Sequence, residues 1–196
     1  MKHIPIHILD ALKKYLSQFG PLEENEWLEL VQKLEFIAFK KGDFLIVDGA
    51  EDVKLYFIYS GFARHYFTGL DQLEITTWFN NPLSMATDYE AYTTNAIATH
   101  NIVALTDIQT VCIDRATLYT LYAKYKNWEH IGRMMNQMYL IHLMRRIRRN
   151  YTQTAKERYD EFFKLWPDVI QNALLKHIAS YLGMSLETLS RIRGSK

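Results

Sequence analysis

The 196-residue sequence predicts an α+β fold: a double-stranded β-helix (jelly-roll) first, then one long helix, then a compact tail ending in a helix-turn-helix. Three observations predict it. From about Glu35 to Asp114 the apolar runs are short, rich in β-branched and aromatic residues, and separated by turn residues. A helical period returns after Arg115 and holds nearly to the end. Strand runs followed by helix runs mean two domains in series.

The elements follow in order. Ile8, Leu9, Leu12, Tyr15, Leu16 and Phe19 recur at helical spacing, and Gly20-Pro21 ends that helix. A second helix is expected over about Glu23–Lys33. The β block is punctuated by Lys41-Gly42-Asp43, Asp48-Gly49, Ser60-Gly61, Gly69-Leu70-Asp71 and Asn80-Asn81-Pro82. Many short strands at regular spacing mean a barrel or a double-sheet roll. A short helix over 116–124 and a long one over 127–150 come next. Pro167 divides the remainder into helices near 154–165, 170–181 and 185–194.

Composition narrows the function. The apolar content of 48% supports a real core, and no apolar run reaches the ~18 residues of a membrane span. The opening Met1-Lys2-His3-Ile4-Pro5 lacks the apolar run of a signal peptide, so a cytoplasmic location without membrane contact is expected. The single cysteine, Cys112, excludes an intrachain disulfide and a cluster held by four cysteines of this chain. It reads as a small buried strand residue. Residues 1–123 carry nine basic and sixteen acidic side chains, whereas residues 124–196 carry fourteen basic and six acidic. Only the back half is suited to meet a polyanion; a solvated basic face is the plainer alternative.

In the long helix, Ile131, Met134, Met138 and Ile141 follow 3-4-3 spacing, and Leu140, Met144 and Ile147 form a second stripe. Two stripes suggest packing on both sides, against the β block and against a second subunit. The first stripe is the expected dimer face. The helix closes on Arg145-Arg146-Ile147-Arg148-Arg149, more cations than its dipole requires.

The most specific signal lies over Lys176–Arg193. Ala179 supplies the small residue where two helices cross, Gly183 the turn residue that tolerates positive φ, and Leu189 the inward apolar residue of the second helix. Ile178, Leu182, Met184 and Ile192 complete a small core. Ser185 stands where an N-cap opens the second helix. That helix would turn Leu186, Glu187, Ser190 and Arg191 toward a major groove, with Arg191 suited to guanine and Glu187 to cytosine N4. Ser185 and Thr188 would hold phosphates, and Arg193 completes the DNA-binding set. Glu187 and Arg191 could equally form an i,i+4 surface pair.

With these residues in view, the chain resembles the Crp/Fnr family of transcription regulators over nearly its full length. Lys41-Gly42-Asp43-Phe44-Leu45, Gly49 and Leu55–Gly61 resemble the family's first roll strands. Ser185–Ile192 resembles its recognition helix, in which a Glu and an Arg four residues on read bases. Thr154–Tyr159 resembles the entry to its DNA-binding domain, and the short tail resembles a branch common in Bacteroidetes. The resemblance implies a cyclic-nucleotide-binding-like sensor domain over 1–125, a dimerisation helix over 126–150 and a DNA-binding domain over 151–196. It implies a homodimer on double-stranded DNA with half-sites about one helical turn apart, and RNA polymerase as a further partner. The alternative is a degenerate protein acting by protein–protein contact alone.

Two departures from the family qualify this. Its cyclic-AMP-binding member uses a Gly-Glu pair for the ribose and an Arg-Ser/Thr pair for the phosphate, and Ala98-Thr99 falls where the latter should be. No Lys or Arg occurs between Arg64 and Arg115, while Asp71, Glu74, Asp88, Glu90, Asp107 and Asp114 do. A buried phosphate needs a cation or several donors, so cyclic nucleotide is not expected to bind in the usual way. Leu186 stands where the cyclic-AMP regulator has a base-contacting arginine. If the roll binds an effector, Met85, Ala86, Thr87, Asp88, Tyr89, Ala98, Thr99, Tyr139 and His142 should line the pocket, and a neutral or cationic ligand fits best. No cofactor or metal site is expected. His100, His130 and His142 are the candidate haem ligands, each as readily an ordinary surface or core histidine. There is no Gly-rich phosphate loop, His-Glu-x-x-His or Gly-x-Ser-x-Gly, so no enzyme is expected.

Overall fold

The computed structural model describes residues 4–194; residues 1–3 and 195–196, at the ends of the two expected domains, lie outside them. Helix α1 (Ile6–Leu16) buries Ile8, Leu12 and Leu16, one face at 4-4 spacing. Helix α2 (Glu24–Val31) opens on a capping box between Glu23 and Glu26 and buries Trp27 and Leu30. The Gly20 turn between them seats on the long helix. A Cβ there would stand 2.8 Å from the His130 ring.

Eight strands follow: β1 (Glu35–Phe39), β2 (Phe44–Ile46), β3 (Lys54–Ser60), β4 (Ala63–Thr68), β5 (Glu74–Asn80), β6 (Ser84–Ala86), β7 (Asn101–Ala104) and β8 (Ile108–Asp114). They make two four-stranded sheets, ordered β1-β8-β3-β6 and β2-β7-β4-β5, with antiparallel pairing throughout. Neighbours in β3 show the period of two. Tyr56 crosses to the other sheet and donates to the Leu45 carbonyl at 3.1 Å, while the Phe57 ring meets Tyr15 of α1 at 5.5 Å. The roll is therefore filled from inside and clad by helices on one outer face. Gly61 sits at φ +89°, and a Cβ there would overlap the Asp107 carbonyl, so the β3–β4 turn admits no side chain.

One helix inside the β block, α3 (Tyr89–Thr94), departs from the sequence reading. Six residues are too few to show a helical period. Its local signal is Asp88, whose carboxylate accepts from the Ala91 amide at 3.2 Å.

The helical half comprises α4 (Arg115–Lys124), α5 (Lys126–Thr152), α6 (Ala155–Leu165), α7 (Pro167–Asn172), α8 (Leu175–Leu182) and α9 (Leu186–Gly194). A Thr154–Glu157 capping box starts α6. The single helix expected near 170–181 is two. Pro167 opens α7 at its first turn, and Ala173 and Leu174 are extended. Two apolar cores result. The larger joins α1, α2, the roll, α4 and the start of α5. The smaller gathers Tyr159, Phe162, Val169, Ile178 and Leu189 around Phe79, contributed by β5.

The long helix requires a correction. Ile131, placed on the dimer face by spacing, is only 1% exposed and belongs to the larger core. With Trp128 it faces the roll. Met134 is half-buried, and Met138 and Ile141 are exposed. The apolar residues turned away from the roll are Leu140, Ile141, Met144 and Ile147, each 42–58% exposed. Ile131 and Met138, a heptad apart, differ by only about 20° around the helix; burial in α5 is confined to Trp128, Ile131 and Gly132 near its start, so the same stripe is covered there and exposed further on. Among the described residues no helix is long and apolar enough to cross a membrane.

Candidate functional sites

The α8–turn–α9 unit has the geometry its residues call for. Gly183 adopts φ +64°, and the Met184 amide reaches back to the Ala179 carbonyl at 3.0 Å. The Ser185 hydroxyl accepts from the Thr188 amide at 3.2 Å, the expected N-cap bond. Leu189 and Ile192 are buried with Ile178, Ala179 and Leu182. Ser185, Leu186, Glu187, Ser190, Arg191 and Arg193 are exposed, and Thr188 is half-buried. The polar residues thus share an open surface while the apolar ones hold α9 to α8.

This unit is docked on its own roll. The Thr76 amide of β5 donates to the Ser180 hydroxyl at 2.9 Å. Arg64, 4% exposed, pairs with Glu74 at 2.6 Å, and His177 Nε2 lies 3.4 Å from the same carboxylate. Burial, with Arg64 close by, pushes the His177 imidazole down to about 4, so it sits neutral in this niche. Arg146 of α5 donates to the Thr77 and Tyr181 carbonyls and lies over the Tyr181 ring at 4.4 Å. Arg149 pairs with Glu161 at 2.7 Å. Two of the four clustered arginines are therefore latches between α5 and the C-terminal helices, while Arg145 and Arg148 are exposed.

Asp88 is used internally. Its carboxylate accepts from the amides of Ala91, Thr99 and His100 at 3.2, 2.8 and 3.1 Å, and lies 3.5 Å from His100 Nδ1. Burial alone would raise its pKa, but these hydrogen bonds outweigh burial and hold it well below the usual carboxylate range. The His100 pKa is raised in turn by its bond to Asp88.

A cavity of about 560 Å³ lies between the outer face of the first sheet and helices α1, α2, α4 and α5, reaching the β5–β6 turn and Trp166. Of the pocket residues expected from sequence, Met85, Thr87, Tyr89, Tyr139 and His142 line it; Ala86, Asp88, Ala98 and Thr99 do not. Ala86 and Ala98 are packed in the larger core, and Asp88 binds the Thr99 amide, so all four are removed from the cavity. His65 also lines it. Burial pushes its imidazole down to about 4, and Nε2 donates to Asn80 Oδ1 at 2.5 Å. Cys112 is buried in the larger core, with its thiol pushed by burial up to about 11. Among the described residues no group of three or more His, Cys, Asp or Glu side chains is arranged to hold a metal.

Residues 36–125 match the cyclic nucleotide-binding domain family. A Crp/Fnr-family transcriptional regulator from Eubacterium rectale superposes with a TM-score of 0.72 at 15% identity, over 93% of this chain and 87% of that one. The chain has the Crp/Fnr fold. The cyclic-di-GMP-responsive global regulator CLP of Xanthomonas campestris shares it, with a TM-score of 0.67 at 12% identity over 88% of this chain and 91% of that one. A Trypanosoma brucei protein kinase A regulatory subunit, a mutant bound to cyclic AMP, matches 68% of this chain at 21% identity and a TM-score of 0.55. This chain spans 45% of that subunit's length. No curated protein matches by sequence.

Within the Crp/Fnr fold, sequence reasoning missed three features. The Arg64–Glu74–His177 contact joins residues more than a hundred positions apart. The cavity lies outside the roll, between elements whose packing no local pattern reveals. The turn of Asp88 toward the Thr99 and His100 amides was foreshadowed only by the absence of basic residues from Arg64 to Arg115.

Proposed function

We propose that this chain is a sequence-specific DNA-binding transcription regulator that acts as a cytoplasmic homodimer and does not respond to cyclic AMP in the usual way. One observation carries the reading: the second helix of the α8–turn–α9 unit exposes Glu187, Ser190, Arg191 and Arg193 together while burying Leu189 and Ile192. An exposed guanidinium and carboxylate one turn apart supply the donors and acceptors that discriminate base pairs. The Crp/Fnr fold and the basic back half support the same reading. Homodimerisation rests on the apolar residues α5 turns away from the roll, which would set two recognition helices against successive major grooves.

The test is selection of bound fragments from a random duplex library, followed by a salt series on the winner. A palindromic site is expected, with affinity falling by orders of magnitude from about 50 mM to about 200 mM salt. No selective binding even at low salt overturns the reading and favours action through protein contacts.

A further inference from the structure

We infer that the cavity beneath α5 is a binding site for an uncharged amphiphilic small molecule, with an apolar or aromatic body and one hydrogen-bonding group at each of two places. Its volume, about 560 Å³, falls in the range of roughly 300–1,000 Å³ typical of small-molecule sites. Among the described residues no Lys, Arg, Asp or Glu lines it; of its two histidines, His65 is held neutral by burial and His142 is exposed. An ion entering would lose its hydration and meet no opposite charge. The walls are apolar and aromatic, with Leu16, Phe57, Ile113 and Met135 among them.

Two residues of the lining carry a buried polar atom without a partner. Trp128, only 2% exposed, is among the lining residues, and its buried indole nitrogen has no hydrogen-bond partner among the described residues. Asn81 Oδ1, also in the lining, is buried and unpaired too. Neighbouring Asn80 is fully engaged, with His65, Ser84 and the Met85 carbonyl. A buried donor and a buried acceptor left unpaired are both unfavourable, and a ligand with one acceptor and one donor that reached them would satisfy both. Leu83, Tyr89, Met138 and Tyr139 line the cavity and are at least 38% exposed, so they form its mouth beside α5. Trp166, also in the lining, stacks on Phe162 of the smaller core. An occupant touches roll, long helix and C-terminal helices together.

This site is independent of the DNA-binding reading, and its test reads no DNA. The probe is N-phenyl-1-naphthylamine, a neutral fluorophore with one N–H, titrated into the full chain. Saturable binding with one probe per chain is expected. The sulfonated relative 8-anilinonaphthalene-1-sulfonate should bind at least about tenfold more weakly, a difference of about 1.4 kcal/mol, and excess cyclic AMP should displace neither. Met135→Trp and Met85→Trp fill the cavity from different walls, and each should weaken the neutral probe at least about tenfold. Whichever of the two keeps the wild-type unfolding transition is decisive. If both unfold, Asn81→Ala, which removes only the acceptor, should weaken the N–H probe several-fold. Absence of saturable binding, equal binding of the sulfonate, or unchanged binding in the folded variants overturns the site.

Discussion

Asp88 Oδ2 accepts the Thr99 amide hydrogen at 2.8 Å. The amides of Thr99 and His100, which could otherwise greet an anion, are taken by a carboxylate of the chain itself. A phosphate approaching them would meet a negative charge, with no Lys or Arg between Arg64 and Arg115 to offset it. Calorimetry with cyclic AMP and cyclic GMP should therefore show no binding, and a micromolar dissociation constant would sink this expectation.

Asp88 also secures its loop. Asp88→Ala removes the α3 N-cap and leaves two further amides without their acceptor. A loss of about 1–3 kcal/mol is expected in urea denaturation, at an unchanged m-value.

The docking of α8 on β5 should weaken in acid. His177 has a folded pKa of about 4 against an ordinary 6.5. A depressed imidazole binds its proton more readily when unfolded, so stability is full above about pH 6.5 and falls as the pH drops toward the folded value. Between about pH 7 and about pH 5 the loss should be on the order of 1–2 kcal/mol. The groups facing His177 are Glu74, Arg64 and Lys176. His65 adds a loss of the same sign, and His100, with a raised pKa, one of opposite sign. Comparing thermal unfolding of His177→Phe with wild type across this window isolates the single imidazole; identical pH profiles would count against it.

On α5, inward and outward residues should separate cleanly. Ile141→Glu with Met144→Glu should leave the chain folded and yield a monomer in sedimentation velocity. Ile131→Ala should cost about 2–5 kcal/mol of stability without changing the oligomeric state. A dimer that survives the double substitution would remove this face from the proposal.

In the exposed α9, Arg191→Ala should cost about 1–3 kcal/mol of affinity and relax base preference at one position of each half-site. Arg193→Ala should weaken all sequences alike. Titration by fluorescence anisotropy on the selected duplex and on single-base variants distinguishes the two.

By itself the sequence determined the succession of helices, β block and helical tail, though neither α3 nor the break between α7 and α8, together with the α8–turn–α9 unit and the absence of Lys and Arg around Asp88. Each is a local fact: spacing of Ala179, Gly183 and Leu189, short apolar runs between turn residues, a capping serine. Periodicity showed that α5 is apolar on more than one side, and could not assign the sides, because spacing reports which residues share a face and not what covers that face. Only tertiary structure decided that Ile131 faces the roll, that Asp88 turns to backbone amides rather than into a pocket, and that Arg64, Glu74 and His177 meet. Only it, too, placed a cavity between sheet and helices, with Trp128 and Asn81 unpaired beside it. Such contacts depend on how twisted sheets and helices of fixed length close against one another. That geometry is a property of the whole chain, and no window of residues carries it.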